Sequence, residues 1–338
     1  MSETRVGING FGRIGRAVFR QALDRDDVTV VAINDLVGAD DLAYLLRYDS
    51  VYGRLGSDVA LEDGELRVGD LRVAVTSEKD PTSIRWSDHD VDVVVEATGA
   101  FRAREKAAGH LQHAPRVLIS APSDDADAHI VHGVNHDVFD PEAHQVVSAT
   151  SCTTNCLVPM LHVLDEAFGL ELATFTTVHA YTASQTLVDT AARKRRRGRA
   201  AGVNLIPTST GAAKASERAL PHLAGRIEGM AMRAPVPVGS VTDLVAQLRD
   251  PVDTKKIVSA FRTVAHGALQ GVLRLEEQEI VSCDIVGDPH SCVIDRASLS
   301  VQGDRTAKIL GWYDNEWGYS ARLLDLSAHM AGVVGTKS

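Results

Sequence analysis

Val6-Gly7-Ile8-Asn9-Gly10-Phe11-Gly12-Arg13-Ile14-Gly15-Arg16 is the stretch that decides the fold. Val6-Gly7-Ile8 reads as a short buried strand. It runs into a glycine turn of GxGxxG spacing, at Gly10, Gly12 and Gly15. Ile14, Ala17, Val18 and Ala22 then recur at helical spacing. A second strand is predicted over 28–33, ending at Asn34-Asp35. Asp35 lies twenty residues after Gly15, where a carboxylate bonds the ribose hydroxyls of an adenosine. A glycine turn alone is a common object. Strand, glycine turn, helix, strand and acid in register predict a dinucleotide-binding unit.

Outward from this stretch, further strands are predicted at 71–76, 91–96, 117–120 and 145–148, with helices near 40–47 and 102–111. That alternation predicts an α/β unit of the Rossmann type, with a mostly parallel, doubly wound sheet. After Cys152 the pattern changes. Longer strands at 171–180, 229–234, 240–248, 271–275, 291–301 and 308–313 have fewer helices between them, near 211–220 and 253–267. They predict an α+β domain with a mainly antiparallel sheet. The expected division is an NAD-binding domain at 1–151 and a catalytic domain at 152–315. A last amphipathic helix within 316–338 is expected to complete the first domain.

Composition limits the function. The chain has 338 residues, 44% apolar and 24% charged, which suits a globular protein of two domains. Its net charge of -10 argues against nucleic acid or an anionic membrane as the main partner. Residues 144–164 carry no Asp, Glu, Lys or Arg, but their hydroxyls argue against a membrane span. The N-terminus shows no basic region followed by an apolar run, so no signal peptide is expected. Four cysteines without zinc spacing imply neither a disulfide framework nor a metal site. A reducing cytoplasm fits best.

Ser148-Ala149-Thr150-Ser151-Cys152-Thr153-Thr154-Asn155-Cys156 carries the chemistry. A strand ends before it and a helix is predicted over 157–168, so Cys152 falls near a helix start. Unpaired N–H groups and the positive dipole end there favour a thiolate. A buried inert cysteine is the alternative, and the hydroxyls of Ser151, Thr153 and Thr154 weigh against it. His179, near a strand end, reads on its own first as a hydrogen-bonded structural histidine and second as a base. Arg233, closing an apolar strand, reads as a surface charge or a phosphate ligand. Thr208-Ser209-Thr210-Gly211 reads as a plain helix cap or an anion site.

Together these stretches resemble phosphorylating glyceraldehyde-3-phosphate dehydrogenase over essentially the whole chain. Thr177-Val178-His179-Ala180-Tyr181-Thr182, Pro207-Thr208-Ser209-Thr210-Gly211-Ala212-Ala213-Lys214 and Trp312-Tyr313-Asp314-Asn315-Glu316-Trp317-Gly318-Tyr319 extend the likeness. The resemblance implies a homotetramer that uses NAD to oxidise D-glyceraldehyde 3-phosphate with inorganic phosphate. It makes Cys152 the nucleophile, forming a hemithioacetal and then a thioester, and His179 the base. Thr182 and Arg233 are implied to hold the substrate phosphate. Ser151, Thr153, Thr210 and Gly211 are implied to hold the attacking one. For the cofactor it implies Gly10, Gly12, Arg13, Ile14, Gly15, Asn34, Asp35, Lys79, Thr98, Ser120, Asn315 and Tyr319.

The sequence also departs from the family. Ala149-Thr150 stands where Asn-Ala is usual, and Ser184 where an acid or similar polar residue is usual. Residues 190–197, Thr-Ala-Ala-Arg-Lys-Arg-Arg-Arg, replace Leu-Pro-His-Lys-Asp-Leu-Arg-Arg. Thr190-Ala191 leaves room at the adenosine ribose, so some NADP use is expected, although Asp35 favours NAD. Erythrose-4-phosphate dehydrogenase and an inhibitor-tolerant copy of the same enzyme are the close rivals. A nucleic-acid role for the basic run at 193–199 is the distant one.

Overall fold

The computed structural model describes residues 3–332. Its chain separates into two compact units. Of the described residues, the first comprises 3–132, 136–150 and 320–332, and the second 133–135 and 151–319.

In the first unit the order is β1 (Thr4–Asn9), α1 (Arg13–Ala22), β2 (Val28–Asn34), α2 (Ala39–Arg47), β3 (Val59–Glu62), β4 (Glu65–Val68) and β5 (Leu71–Thr76). There follow β6 (Val93–Glu96), α3 (Arg104–Ala107), β7 (Val117–Ile119), β8 (Ala128–His129) and β9 (Val146–Ser148). Among the described residues these form a nine-stranded sheet in the order β3-β4-β5-β2-β1-β6-β7-β9-β8. From β5 to β8 every pairing is parallel. Val6, Ile8, Val93, Val94, Val95, Leu118 and Val147 are wholly buried, as strands covered on both faces require. The chain order reverses between β1 and β6. Such a switch point opens a crevice beyond the strand ends, where ligands bind in doubly wound sheets.

The second unit runs α4 (Cys152–Phe168), β10 (Leu170–Ala180), β11 (Ile206–Thr208), α5 (Ala212–Ala219), β12 (Ile227–Ala234) and β13 (Ser240–Leu248). It continues with α6 (Thr254–Ala265), β14 (Leu273–Glu276), β15 (Cys292–Gln302) and β16 (Thr306–Tyr313). Seven described strands form a sheet in the order β11-β12-β10-β13-β16-β15-β14. Four of its pairings are antiparallel. Two are parallel, β10 with β12 and β14 with β15. The last helix, α7 (Trp317–Gly332), belongs from Ser320 onward to the first unit. There Asp325 pairs with Arg25 at 2.6 Å and His329 donates to the His136 carbonyl at 3.0 Å.

Some elements differ from expectation. The hairpin of β3 and β4 was not anticipated, although Asp63-Gly64 between them carries its signal. Both residues have positive φ, 53° and 85°, as a tight two-residue hairpin turn requires. The helix expected over 102–111 is α for only four residues and continues as a 3₁₀ turn, Ala108–Gln112. Gly109 there packs so closely that an added Cβ would lie 3.1 Å from Pro81. The helix expected from Leu157 begins at Cys152. No helix among the described residues is long and apolar enough to cross a membrane.

Candidate active site

In the first unit a cavity of about 550 Å³ lies at the switch point. Gly10, Gly12, Asn34, Asp35, Lys79 and Thr98 line it. The turn is built for close approach. Gly10 has φ +95°, and a Cβ at Gly15 would collide with the Gly10 carbonyl oxygen. A Cβ at Gly12 would meet nothing within 4 Å. Gly12 also gives α1 no side-chain cap. The positive dipole end of α1 is therefore unobstructed on the Gly12 side, as the approach of a pyrophosphate needs. Asp35 follows β2 directly. Its carboxylate accepts from the Phe11 N–H at 2.6 Å and the Val37 N–H at 2.9 Å, so it is fixed at the turn. These features fit a dinucleotide.

Other predicted residues play a narrower part. The Asn34 amide donates to Asn9 Oδ1 and the Glu78 carbonyl, both at 2.9 Å, and accepts from Thr76 and from the Glu78 N–H. Its side chain thus shapes the wall and has no capacity left for a ligand. Arg13 pairs with Asp49 and lies over the Tyr52 ring. Both the Ser120 hydroxyl and N–H donate to the Glu96 carbonyl, at 2.9 and 3.0 Å. Sequence reasoning missed the buried group behind the wall. Glu96 accepts from Asn9 Nδ2 at 2.6 Å, His110 Nε2 at 3.1 Å and the Thr98 N–H at 2.9 Å. Trp86 Nε1 donates to His110 Nδ1 at 3.0 Å, which puts the imidazole proton on Nε2, facing Glu96.

The second unit holds the reactive side chains. Just before it, Thr150 closes the 136–150 stretch of the first unit; it is wholly buried and has φ +61°, a left-handed conformation rarely taken by β-branched residues. Ser151 then caps α4. Its Oγ accepts from the Thr154 N–H at 3.1 Å. Cys152 is the first helical residue. Strands β10 and β12 are parallel neighbours and set His179 beside Arg233 in register. Cys152 Sγ lies 3.4 Å from His179 Nε2. His179 Nδ1 lies 2.7 Å from the Ala180 carbonyl oxygen and 2.6 Å from Arg233 Nη1, which itself donates to that carbonyl at 2.8 Å. In the tautomer that gives the Nδ1 proton to the Ala180 carbonyl, with the Arg233 N–H directed at that carbonyl and not at Nδ1, Nε2 is a free acceptor facing sulfur. That is the arrangement a general base needs.

Electrostatics modify the expectation for the thiol. Burial pushes Cys152 up to about 11, against the pull of Arg233 and the Thr153 N–H. The helix start alone had suggested a lowered thiol. Desolvation outweighs it here. His179 is pushed down to about 3, first by burial and then by the Arg233 charge. The pair therefore rests as neutral thiol and neutral imidazole. The proton has only to move along one contact, from Sγ to Nε2, when the sulfur attacks.

The predicted phosphate ligands divide. Arg233 Nε is buried with no partner among the described residues, so its guanidinium has unused donor capacity. The Thr182 hydroxyl is 2.9 Å from Ser184 Oγ. Thr210 Oγ1 accepts from the Ala212 N–H at 3.1 Å, and Gly211 opens α5 without a side-chain cap. The Thr153 hydroxyl is 3.0 Å from the Tyr313 hydroxyl, which also lies 2.7 Å from Thr177 Oγ1. Asn315 Oδ1 accepts from Ser240 Oγ at 2.9 Å, and Ser240 Oγ accepts from the Ala180 N–H at 3.1 Å. Tyr319 is buried and close enough to Cys152 to feel its charge. Tyr313 and Ser240 were not foreseen as parts of the site. For Tyr313 the only signal was its place in the quoted tryptophan-rich motif.

A doubly wound dinucleotide unit, in one chain with a unit that sets a thiol against an imidazole, defines a class: the nicotinamide-dependent oxidoreductases. Residues 4–104 match the family model of the glyceraldehyde 3-phosphate dehydrogenase NAD binding domain, and residues 151–315 that of the C-terminal domain. The chain is 47% identical over 330 residues to glyceraldehyde-3-phosphate dehydrogenase 2 of Bacillus subtilis, covering 97% of each. It is 49% identical over 328 residues to the glyceraldehyde-3-phosphate dehydrogenase of Geobacillus stearothermophilus, covering 97% of this chain and 98% of the other. It is also 49% identical to that of Haloarcula vallismortis over 336 residues, 98% and 99% of the two chains. The chain belongs to the glyceraldehyde 3-phosphate dehydrogenase family, whose cofactor is NAD.

Proposed function

We propose that the chain oxidises D-glyceraldehyde 3-phosphate, with NAD and inorganic phosphate, to 1,3-bisphosphoglycerate. The observation that carries this reading is the 3.4 Å approach of Cys152 Sγ to His179 Nε2. The thiol adds to the aldehyde carbon as its proton passes to Nε2 and on to the former carbonyl oxygen, giving a hemithioacetal and freeing Nε2 again. His179 then takes the hemithioacetal hydroxyl proton, leaving a thioester on Cys152. Bound NAD supplies the acceptor for the hydride lost from that carbon. The Cys152 N–H at the start of α4 steadies the developing oxyanion. Arg233 and Thr182 hold the phosphate of the aldehyde, and Ser151, Thr153, Thr210 and Gly211 guide the phosphate that cleaves the thioester. Gly10, Gly12, Arg13, Ile14, Gly15, Asp35, Lys79, Thr98 and Ser120 are assigned to the cofactor, with Asn34 shaping its wall. Asn315 and Tyr319 serve its nicotinamide end.

A homotetramer in the cytoplasm is part of the same proposal. Leu187, Val188, Val203 and Leu205 support the assembly. Each is more than 60% exposed, an unusual cost for a lone subunit and an ordinary one at a subunit interface. The test of the function is NADH formation from D-glyceraldehyde 3-phosphate with and without inorganic phosphate. Phosphate-dependent turnover is expected. Phosphate-independent turnover, or preference for erythrose 4-phosphate, would overturn it.

A further inference from the structure

The basic run at 193–199 divides into members with different partners. Arg199 pairs with Asp189 at 2.7 Å. Arg193, Arg195 and Arg196 are exposed. Lys194 and Arg197 turn instead to the segment that opens α5. Lys194 Nζ donates to Ser209 Oγ at 2.7 Å, and Arg197 Nε donates to Thr208 Oγ1 at 3.0 Å. Neither has a carboxylate within ion-pair reach among the described residues. The Arg197 charge also reaches His179 and Arg233, lowering the proton affinity of both. Two uncompensated cations thus flank the hydroxyls of Thr208, Ser209 and Thr210, beside the start of α5, where Thr210 Oγ1 accepts from the Ala212 N–H.

We propose that Lys194 is a specificity-determining residue for the attacking phosphate, recruiting the inorganic dianion to the turn at 208–211. This rests on the function proposed above. An ammonium bonded to Ser209 keeps two further N–H groups for a ligand. Because Ser209 Oγ accepts from Lys194, its own proton is free to point at the anion. The phosphate of the aldehyde is assigned to Arg233 and Thr182, so Lys194 distinguishes the two phosphates.

The experiment is steady-state kinetics of full-length Lys194→Gln, Lys194→Asp and Lys194→Arg at low and high KCl. The KM for inorganic phosphate is expected to rise about five-fold in Lys194→Gln, the effect of one exposed charge on a dianion. It should rise further in Lys194→Asp and return toward the parent value in Lys194→Arg. The KM for the aldehyde, and kcat at saturating phosphate, should stay unchanged. Salt should raise the parent KM for phosphate more than that of Lys194→Gln. A purely structural tether would move kcat or stability and leave the salt slope unaltered, and that result overturns the proposal. So does an unchanged phosphate KM in Lys194→Asp, or an equal rise for the aldehyde. If the parent enzyme turns over without phosphate, the proposed function fails, and the role of Lys194 with it. Phosphate-dependent parent kinetics with indifferent variants removes Lys194 alone.

Discussion

Two helices of the molecule begin in opposite ways. α1 starts at Gly12, which has no side chain to cap it, and the space beside that glycine is open. α4 starts at Ser151, whose hydroxyl closes on the Thr154 N–H. The first start is left for an outside anion. The second is finished by the chain itself, so that Cys152 is held while its sulfur reacts. α5, beside the assigned phosphate turn, opens on Gly211, and the Thr210 hydroxyl before it accepts from the Ala212 N–H at 3.1 Å. α6, far from any assigned site in the sequence, is capped by Asp253, which accepts from the Lys256 N–H at 2.8 Å. α2 opens on Gly38 without a cap, but Asp40 and Asp41 in its first turn supply the negative charge. Among these starts, that of α1 lacks both a polar cap and first-turn acids, and it borders the cavity at the switch point.

The largest effect is expected where the finished start carries the reactive atom. Cys152→Ala should abolish turnover in the NADH assay, while calorimetric NAD binding persists. Retained turnover would transfer the nucleophile to another group and end the contrast. His179→Asn comes next. It should slow single-turnover hydride transfer by ~10²–10⁴-fold, the usual loss for a general base. Alkylation of Cys152 by iodoacetamide at neutral pH should slow as well, and an unchanged alkylation rate would make His179 a spectator.

Gly12→Ser tests the open start. The added Cβ meets nothing within 4 Å, and serine caps as well as glycine or a few tenths of a kcal/mol better. Thermal stability should hold or rise slightly, while the Kd for NAD weakens at least about ten-fold, as expected when a side chain occupies a phosphate approach. Unchanged NAD affinity would show that the missing cap has no bearing on the ligand. Ser151→Ala tests the closed start. Loss of the cap should cost about 1 kcal/mol in urea unfolding, and the phosphate KM should rise with it.

The smallest effect lies away from both helix starts. His132 stacks on His136 at 4.9 Å and sits 3.9 Å from Asp325. Burial pushes His132 down to about 4, assisted by Arg322, His136 and His329 and opposed by Asp325. Its pKa in the fold is therefore below the ordinary 6.5. The unfolded chain binds the proton more readily, so stability is complete above about pH 6.5 and falls as pH drops toward 4. His132→Phe should flatten that part of a Tm-against-pH curve. An unaltered slope would assign the acid sensitivity to other groups.

The parallel sheet was legible because its signals are local. Gly10, Gly12, Gly15 and Asp35 stand at fixed offsets along one βαβ unit, and each offset has a mechanical reason. The change to an antiparallel sheet was legible in the lengthening strands. The hairpin at Asp63-Gly64 was equally local and was passed over. What the sequence hid was long-range. Tyr313 meets Thr153 and Thr177 across 160 and 136 residues, and His329 meets His136 across 193. No periodicity connects such residues. The raised thiol of Cys152 was hidden for another reason. A helix start is visible in a sequence, but the desolvation that opposes it is a property of the packed fold.

The placement of α7 bears on the order in which the protein is made. From Ser320 this helix belongs to the same unit as β1, while residues 151–319 form a unit of their own. The second unit is therefore an insertion in the first. On the ribosome, the inserted unit has its whole sheet available before the nucleotide unit receives its last helix. Leu323, Leu324, Leu326 and Met330 are wholly buried, and each such side chain is worth on the order of 1.5–3 kcal/mol. Until they emerge, the glycine turn belongs to an unfinished body. Translation thus begins the half that carries the cofactor turn, completes the half that carries the thiol, and only then finishes the first.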